Sequence, residues 1–187
     1  PNFAEQQSKG RRCIAFAHKV GSDINTLSDF IWDGYVAIED PVRSNVPDAI
    51  QAARNAGIKV KIVTGDNPET AASIAAQANI SQIPNTMLGK EVEAQTDTNL
   101  RKVDVFARTK PEDKQTLVKR FQNMGEVVAV TGDGTNDSAA LNQAEVGVAM
   151  NNGTDIAKNA ADVILLDNSF PSVILGVKWG RSLYKNI

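Results

Sequence analysis

One stretch limits what this chain can fold into. Val127-Val128-Ala129-Val130 runs directly into Thr131-Gly132-Asp133-Gly134-Thr135-Asn136-Asp137. A short apolar run bounded by a glycine turn reads as a strand buried on both faces, as in a parallel sheet. The turn opens a helix over about 138–143, so the polar cluster stands where a strand ends and a helix begins. Ligands of open parallel sheets bind just outside the carboxyl ends of the strands. Asp133 and Asp137 lie four residues apart. Two crowded carboxylates repel unless a cation or a proton stands between them. A small set of hard oxygen donors suits Mg²⁺, which keeps several waters and is usually shared with a phosphate. The same residues also fit a plain polar turn with Asn136 or Asp137 as the helix N-cap.

The 187 residues allow one ordinary domain, or one domain with a fragment of another, and a sizeable core. A net charge of −2 gives no sign of a nucleic-acid partner, which calls for a basic patch. The lone cysteine, Cys13, excludes an internal disulfide and fits a reducing compartment. No apolar run approaches the ~18–20 residues of a membrane span. The start, Pro1-Asn2-Phe3-Ala4-Glu5, is polar rather than signal-like. Both ends read as cut, so an excised piece of a longer protein is expected.

Residues 1–11 read as polar and loose, and two strands follow, over 13–18 and 30–38. Pro41 breaks the chain and places a domain boundary near 41–43. From there the pattern alternates. Helices are expected over 47–56, from Ala71 to Ala78, from Pro111 to Gly125, over 138–143, over 154–160 and from Phe170 onward. Strands are expected over 58–63, 103–107, 127–131, 146–150 and 162–166. Gly57, Asn67 and Thr154 stand where helices need a C-terminal glycine or an N-terminal cap. Such alternation predicts an α/β fold, a Rossmann-like and mostly parallel sheet with helices on both faces.

Three strand-end loops carry polar groups: 64–68, 108–114 and 131–137. If their strands are neighbours, the loops meet at one sheet edge. Thr64-Gly65-Asp66 offers a hydroxyl and backbone N–H groups beside a helix start, an anion site or simply a capped turn. Lys114 falls in the first turn of its helix, where a cation opposes the dipole. It reads as a point charge for a phosphate, or as a solvated lysine paired with a nearby acid. Arg43 is expected at a hinge between domains, facing a ligand, or as an exposed charge after a proline turn. His18 reads as a strand-edge residue, and Cys13, Trp32, Trp179, Phe16 and Phe30 as packing residues. No zinc-type spacing, GxGxxG or Walker A sequence is present. Phosphoryl chemistry needs a nucleophile, and no early strand ends in an aspartate with the surroundings suited to that role.

Four segments in this order resemble motifs of the P-type cation-transporting ATPases, within the haloacid dehalogenase superfamily. They are Asp40-Pro41-Val42-Arg43, Thr64-Gly65-Asp66-Asn67, Lys110-Pro111-Glu112-Asp113-Lys114 and Thr131-Gly132-Asp133-Gly134-Thr135-Asn136-Asp137. The resemblance runs from about Arg12 to the end. It implies that Asp133 ligates Mg²⁺ directly, with Asp137 and Asn136 supporting metal and phosphate. It implies that Thr64 and Gly65 hold the phosphoryl group, that Asp66 orders their loop, and that Lys114 neutralises phosphoryl oxygens. Arg12, Asp40 and Arg43 would serve the nucleotide side, Arg43 near the ATP phosphates.

The family's Asp-Lys-Thr-Gly-Thr phosphorylation motif is absent from these residues, as are the actuator domain and every membrane helix. The resemblance therefore implies the end of a nucleotide-binding domain and its hinge at 1–42, and the C-terminal part of a phosphorylation domain at 43–187. ATP, the missing segments of the parent pump and a cation bound elsewhere would be its partners, at the cytoplasmic face of a membrane. Asp167-Asn168-Ser169-Phe170 and Trp179-Gly180-Arg181 look most like calcium pumps of the plasma-membrane type. The isolated chain is expected not to turn over ATP. A soluble phosphatase of the same superfamily, or a nucleotide-binding module without turnover, stands as the alternative; the phosphatase would need a nucleophile among Asp23, Asp29, Asp33 and Asp40.

Overall fold

Proline opens and glycine closes several helices of this chain, which suits a missing N–H at one end and a left-handed turn at the other. The computed structural model describes residues 5–6, 11–21, 28–39 and 41–186; of Arg12 it describes the backbone only. Helix α1 (Val46–Asn55) has Pro47 in its first turn and Gly57, at φ +74°, just beyond its end. Strand β3 (Ile62–Val63) leads to α2 (Pro68–Gln77), whose cap Asn67 accepts from the Thr70 amide at 2.8 Å. Strand β4 (Thr86–Leu88), helix α3 (Asp97–Lys102) and strand β5 (Val105–Ala107) come next. Helix α4 (Pro111–Asn123) stops before Gly125, at φ +80°. Then follow β6 (Ala129–Gly132), α5 (Ser138–Gln143), β7 (Val146–Met150), α6 (Asp155–Ala160), β8 (Val163–Leu165) and α7 (Phe170–Lys185). Thr154 caps α6 by accepting from the Ala157 amide at 3.3 Å. No helix among the described residues is long and apolar enough to cross a membrane.

The α/β class and the parallel pairing agree with the sequence. The single expected sheet is instead two parallel three-stranded sheets, in the orders β3-β5-β4 and β6-β7-β8. Among the described residues no ladder joins β3 to β6. An antiparallel hairpin stands apart from both: β1 (Arg12–His18) and β2 (Ile31–Ile38), with a bulge at Phe16/Ala17.

The strand buried on both faces is β5, not β6. Val105 and Ala107 turn towards Ala71 and Ala75 of α2, with Ile62 and Ile80 beside them. Phe106 turns the other way, onto Val92, Leu100, Val103 and Leu117. Its ring meets Phe121 edge to face at 6.5 Å. Among the described residues β6 is an edge strand paired with β7 alone, its residues alternate between exposed and half-buried, and Val127 ahead of it is 83% exposed. The expected strand over 58–63 shortens to two residues because β5, its partner, begins only at Val105.

The aromatic residues also depart from expectation. Phe16, Phe30, Trp32 and Trp179 are exposed, and Cys13 is half-buried rather than core. His18 does sit on the hairpin, 2.6 Å from the Asp33 carboxylate.

Candidate functional site

Backbone geometry brings the strand-end loops together before any side chain acts. The Thr109 amide donates to Thr64 O at 3.0 Å, and the Arg108 amide to Asp66 O at 2.9 Å. The loops after β3 and β5 are thus joined edge to edge. Within the first loop the Thr64 hydroxyl donates to Asp66 Oδ2 at 3.1 Å and accepts from the Asp66 amide at 3.1 Å. Gly65 lies close enough to this seam that a Cβ there would stand 3.7 Å from Thr109 O.

The loop after β6 reaches the other two through one ion pair. Lys114, in the first turn of α4, donates from Nζ to Asp137 Oδ1 at 2.6 Å. Only 17% of the lysine side chain and 15% of the aspartate are exposed. Lys110, the residue capping α4, has its amide satisfied by Asp113 Oδ2 at 2.8 Å. Asp137 holds the N-cap position of α5, yet its side chain makes no cap bond. Its second oxygen instead accepts from the Gly134 amide at 3.2 Å. The carboxylate is therefore turned back over its own loop. Lys114 is thus paired with a nearby acid, as one of its two sequence readings has it, but is mostly shielded rather than solvated; the acid is one of the two carboxylates singled out for the metal.

Glycine is required at this turn by close approach. A Cβ on Gly132 would come within 2.6 Å of Asp137 Cβ and 2.9 Å of its Cγ. Asp133 and Asn136 are exposed beside this pair. The Asp133 carboxylate has no protein partner among the described residues, while its backbone carbonyl accepts from the Thr154 amide at 2.8 Å. A cation-ready group thus sits on a fixed backbone.

Of the residues singled out from sequence, Thr64, Gly65, Asp66, Lys114, Asp133, Asn136 and Asp137 fall on these three joined loops. Arg43 is bonded elsewhere, donating to Asn168 O at 2.7 Å. Asp40 and the Arg12 side chain lie outside the described residues. Sequence reasoning missed the loop after β7. A Cβ on Gly153 would lie 2.9 Å from Asp133 O, and Thr154 holds that same oxygen. The signal was available, since this loop too follows the carboxyl end of a parallel strand. It also missed Thr109, whose buried hydroxyl has no protein partner among the described residues.

The chain is similar to known proteins in both sequence and fold. The family described as haloacid dehalogenase-like hydrolase matches residues 4–145. Calcium-transporting ATPase 5, plasma membrane-type, of Oryza sativa subsp. japonica is 41% identical, over 94% of this chain and 18% of that protein. Calcium-transporting ATPase 8, plasma membrane-type, of Arabidopsis thaliana is 44% identical over the same shares. Calcium-transporting ATPase 1 of Lactococcus lactis subsp. lactis is 42% identical, over 96% of this chain and 22% of that protein. The chain thus spans about a fifth of the length of these relatives. Among solved structures, a zinc-transporting PIB-type ATPase in its E2.Pi state superposes with a TM-score of 0.71 at 26% identity, covering 98% of this chain and 25% of that one. The catalytic domain of the CPx-ATPase CopB-B gives 0.58 at 29% identity, over 80% of this chain and 48% of that one. With 4–145 of its residues matched and its strand-end loops assembled on parallel sheets, the chain belongs to the haloacid dehalogenase-like hydrolases.

Proposed function

We propose that the chain is part of the catalytic region of an ATP-driven, calcium-transporting pump. It supplies the groups that hold Mg²⁺ and a phosphoryl group, while an aspartate outside these 187 residues forms and loses an aspartyl phosphate. The observation that carries the reading is the Lys114–Asp137 pair, mostly shielded from water where loops from both parallel sheets meet. A fixed cation beside an oriented carboxylate is an arrangement built for charge that develops on a third group.

The donor set fits Mg²⁺. Among the described residues no three His, Cys, Asp or Glu side chains cluster as an all-protein metal cage. Mg²⁺ does not ask for one: it takes one or two carboxylates and completes its shell with waters and phosphate oxygens. The free carboxylate of Asp133 is the direct donor in this reading, and Asp137, oriented by Lys114 and the Gly134 amide, supports it with Asn136. The ion supplies Lewis-acid polarisation of phosphoryl oxygens. Thr64 and Gly65 hold the phosphoryl group beside the start of α2, Asp66 orders that loop, and Lys114 neutralises the charge that builds.

Support for the missing aspartate comes from the sheet edges. β3 and β6 each pair on one side only among the described residues, and both lead into the site. A strand seated between them would deliver its last residue to loops 64–68 and 131–137. Residues 1–42, with Arg12 and Asp40, belong in this reading to the nucleotide side and its hinge, and Arg43 follows them directly. The parent in this reading is a membrane protein, as the plasma-membrane-type names of the calcium-transporting relatives support, and this part belongs on its cytoplasmic side.

Titration of the chain with Mg²⁺, followed by backbone amide NMR, tests the reading. The amides of 131–137 are expected to shift in the wild type and to stay unmoved in Asp133→Asn. The pure chain is expected to hydrolyse no ATP. Mg²⁺-dependent hydrolysis by it, lost in Asp133→Ala, would overturn the proposal.

A further inference from the structure

The link made by Arg43 continues past its first partner. Asn168 lies in the turn between β8 and α7 at φ +51°, a conformation asparagine tolerates better than most residues. Its backbone oxygen takes the Arg43 guanidinium, and its side-chain Oδ1 accepts from the Asn152 amide at 3.0 Å. The turn is braced from below: the Asp167 carboxylate accepts from the Ser172 hydroxyl at 2.5 Å and from the Ser169 amide at 3.1 Å. The Asn168 amide also donates to Leu165 O at 3.3 Å, and the Asn151 amide to the same oxygen at 3.0 Å.

Asn152 lies in the turn that begins at Asn151 and continues into Gly153 and Thr154. Those two residues lie against the backbone of Asp133, Gly153 by close approach and Thr154 by its 2.8 Å hydrogen bond to Asp133 O. Gly153 is itself tied back, its amide donating to Met150 O at 3.0 Å. Arg43, Asn168, the 152–154 turn and Asp133 therefore form one unbroken series of directed contacts. It joins residues 125 apart in sequence, and one side chain, that of Asn168, bridges its middle.

We propose that Asn168 is a positioning residue, coupling the segment at Arg43 to the backbone that carries Asp133. The proposal rests on the reading of Asp133 as the Mg²⁺ ligand only for its consequence, not for its geometry. A displacement of Arg43 pulls on the Asn168 carbonyl, tilts its peptide, and moves the acceptor that holds Asn152. The metal-facing carboxylate thereby senses the hinge without touching it.

The experiment uses two substitutions and their combination in the ¹⁵N-labelled chain. Arg43→Ala is expected to shift the amides of Ser169, which shares a peptide with the Asn168 carbonyl, and of Asn152, Gly153 and Thr154. It is also expected to weaken Mg²⁺ binding about threefold, as for a residue that touches neither ligand. Asn168→Gly keeps the left-handed backbone and the carbonyl but removes Oδ1. In that background Arg43→Ala should still shift Ser169 and no longer shift 152–154. Asn168→Asp keeps an acceptor oxygen and should restore the response. A response at 152–154 that persists in Asn168→Gly, or that is missing from the wild type, overturns the proposal. If Mg²⁺ leaves the wild-type loop 131–137 unmoved, the metal reading fails, while the amide pattern still decides the coupling.

Discussion

Asp137 accepts from a lysine and from a backbone amide, and both bonds depend on its reaching back across its own turn. Removing either partner of a mostly shielded ion pair strands the other charge. Lys114→Met and Asp137→Asn are each expected to destabilise the chain by about 1–3 kcal/mol. The double variant should cost clearly less than the sum, as read from denaturant unfolding in a double-mutant cycle. Thr64, Lys114, Asp133 and Asp137 were legible in the sequence because strand-end chemistry is local: an apolar run, a glycine and a carboxylate suffice. Gly153, Thr154 and Asn168 were not, since each matters through a neighbour distant in sequence. Gly132 marks the boundary between the two cases. Its place in the turn reads from sequence, but its true constraint, the Asp137 side chain within 2.6 Å of where a Cβ would stand, appears only in three dimensions.

Helix α4 carries Lys114 at one end and is fastened at the other. Gln122 Nε2 donates to Gln143 O and to Glu145 Oε1, both at 2.8 Å, and Gln143 Nε2 returns a bond to Gln122 Oε1 at 2.8 Å. Glu145 Oε2 in turn accepts from the Val128 amide at 2.8 Å. This clasp joins α4, the end of α5 and the approach to β6, the elements that set the spacing of Lys114 and Asp137. The Val128 amide, helped by the Gln122 side chain and opposed by partial desolvation, holds the Glu145 carboxyl below its ordinary range. A depressed folded-state value contributes stability above the unfolded value and loses it as pH falls through the folded one. Acid unfolding of the wild type should therefore show a loss of stability in that window, and Glu145→Gln should flatten it. A Glu145→Gln curve that superposes on the wild type would exclude the clasp as the source. No period in the sequence announces such a clasp, because glutamine and glutamate at helix ends and in the turns beyond them look alike whether bonded or solvated. The existence and order of the helices read well, for proline and glycine mark their ends. The burial of β5 and β6 read less well. Apolar runs of similar length cannot report which strand is central and which is an edge.

Across the whole molecule, the α/β class was visible in the alternation of strands and helices, whereas the division into two sheets was not. Pairing between strands is a contact at long range, and β3 and β6 carry the same apolar pattern whether or not something lies between them. The exposed aromatic residues of the hairpin and of α7 escaped the sequence for the same reason: hydrophobicity announces a packing surface without naming its layer.

The side of β6 that is unpaired among the described residues has a colloidal consequence. An open edge presents a row of free amides and carbonyls, and natural sheets guard such edges with charge, proline or cover. Val127 to Thr131 carries none of these; it is short, apolar and rich in β-branched residues, the composition that stacks against copies of itself. Concentrated solutions of the isolated chain should self-associate through this strand, with sedimentation that depends on concentration. Val127→Lys, at an exposed position just ahead of the ladder, should raise the threshold for association and leave the fold intact. An edge of this kind makes the chain adhesive, and its shelf life in solution becomes a readout of its topology.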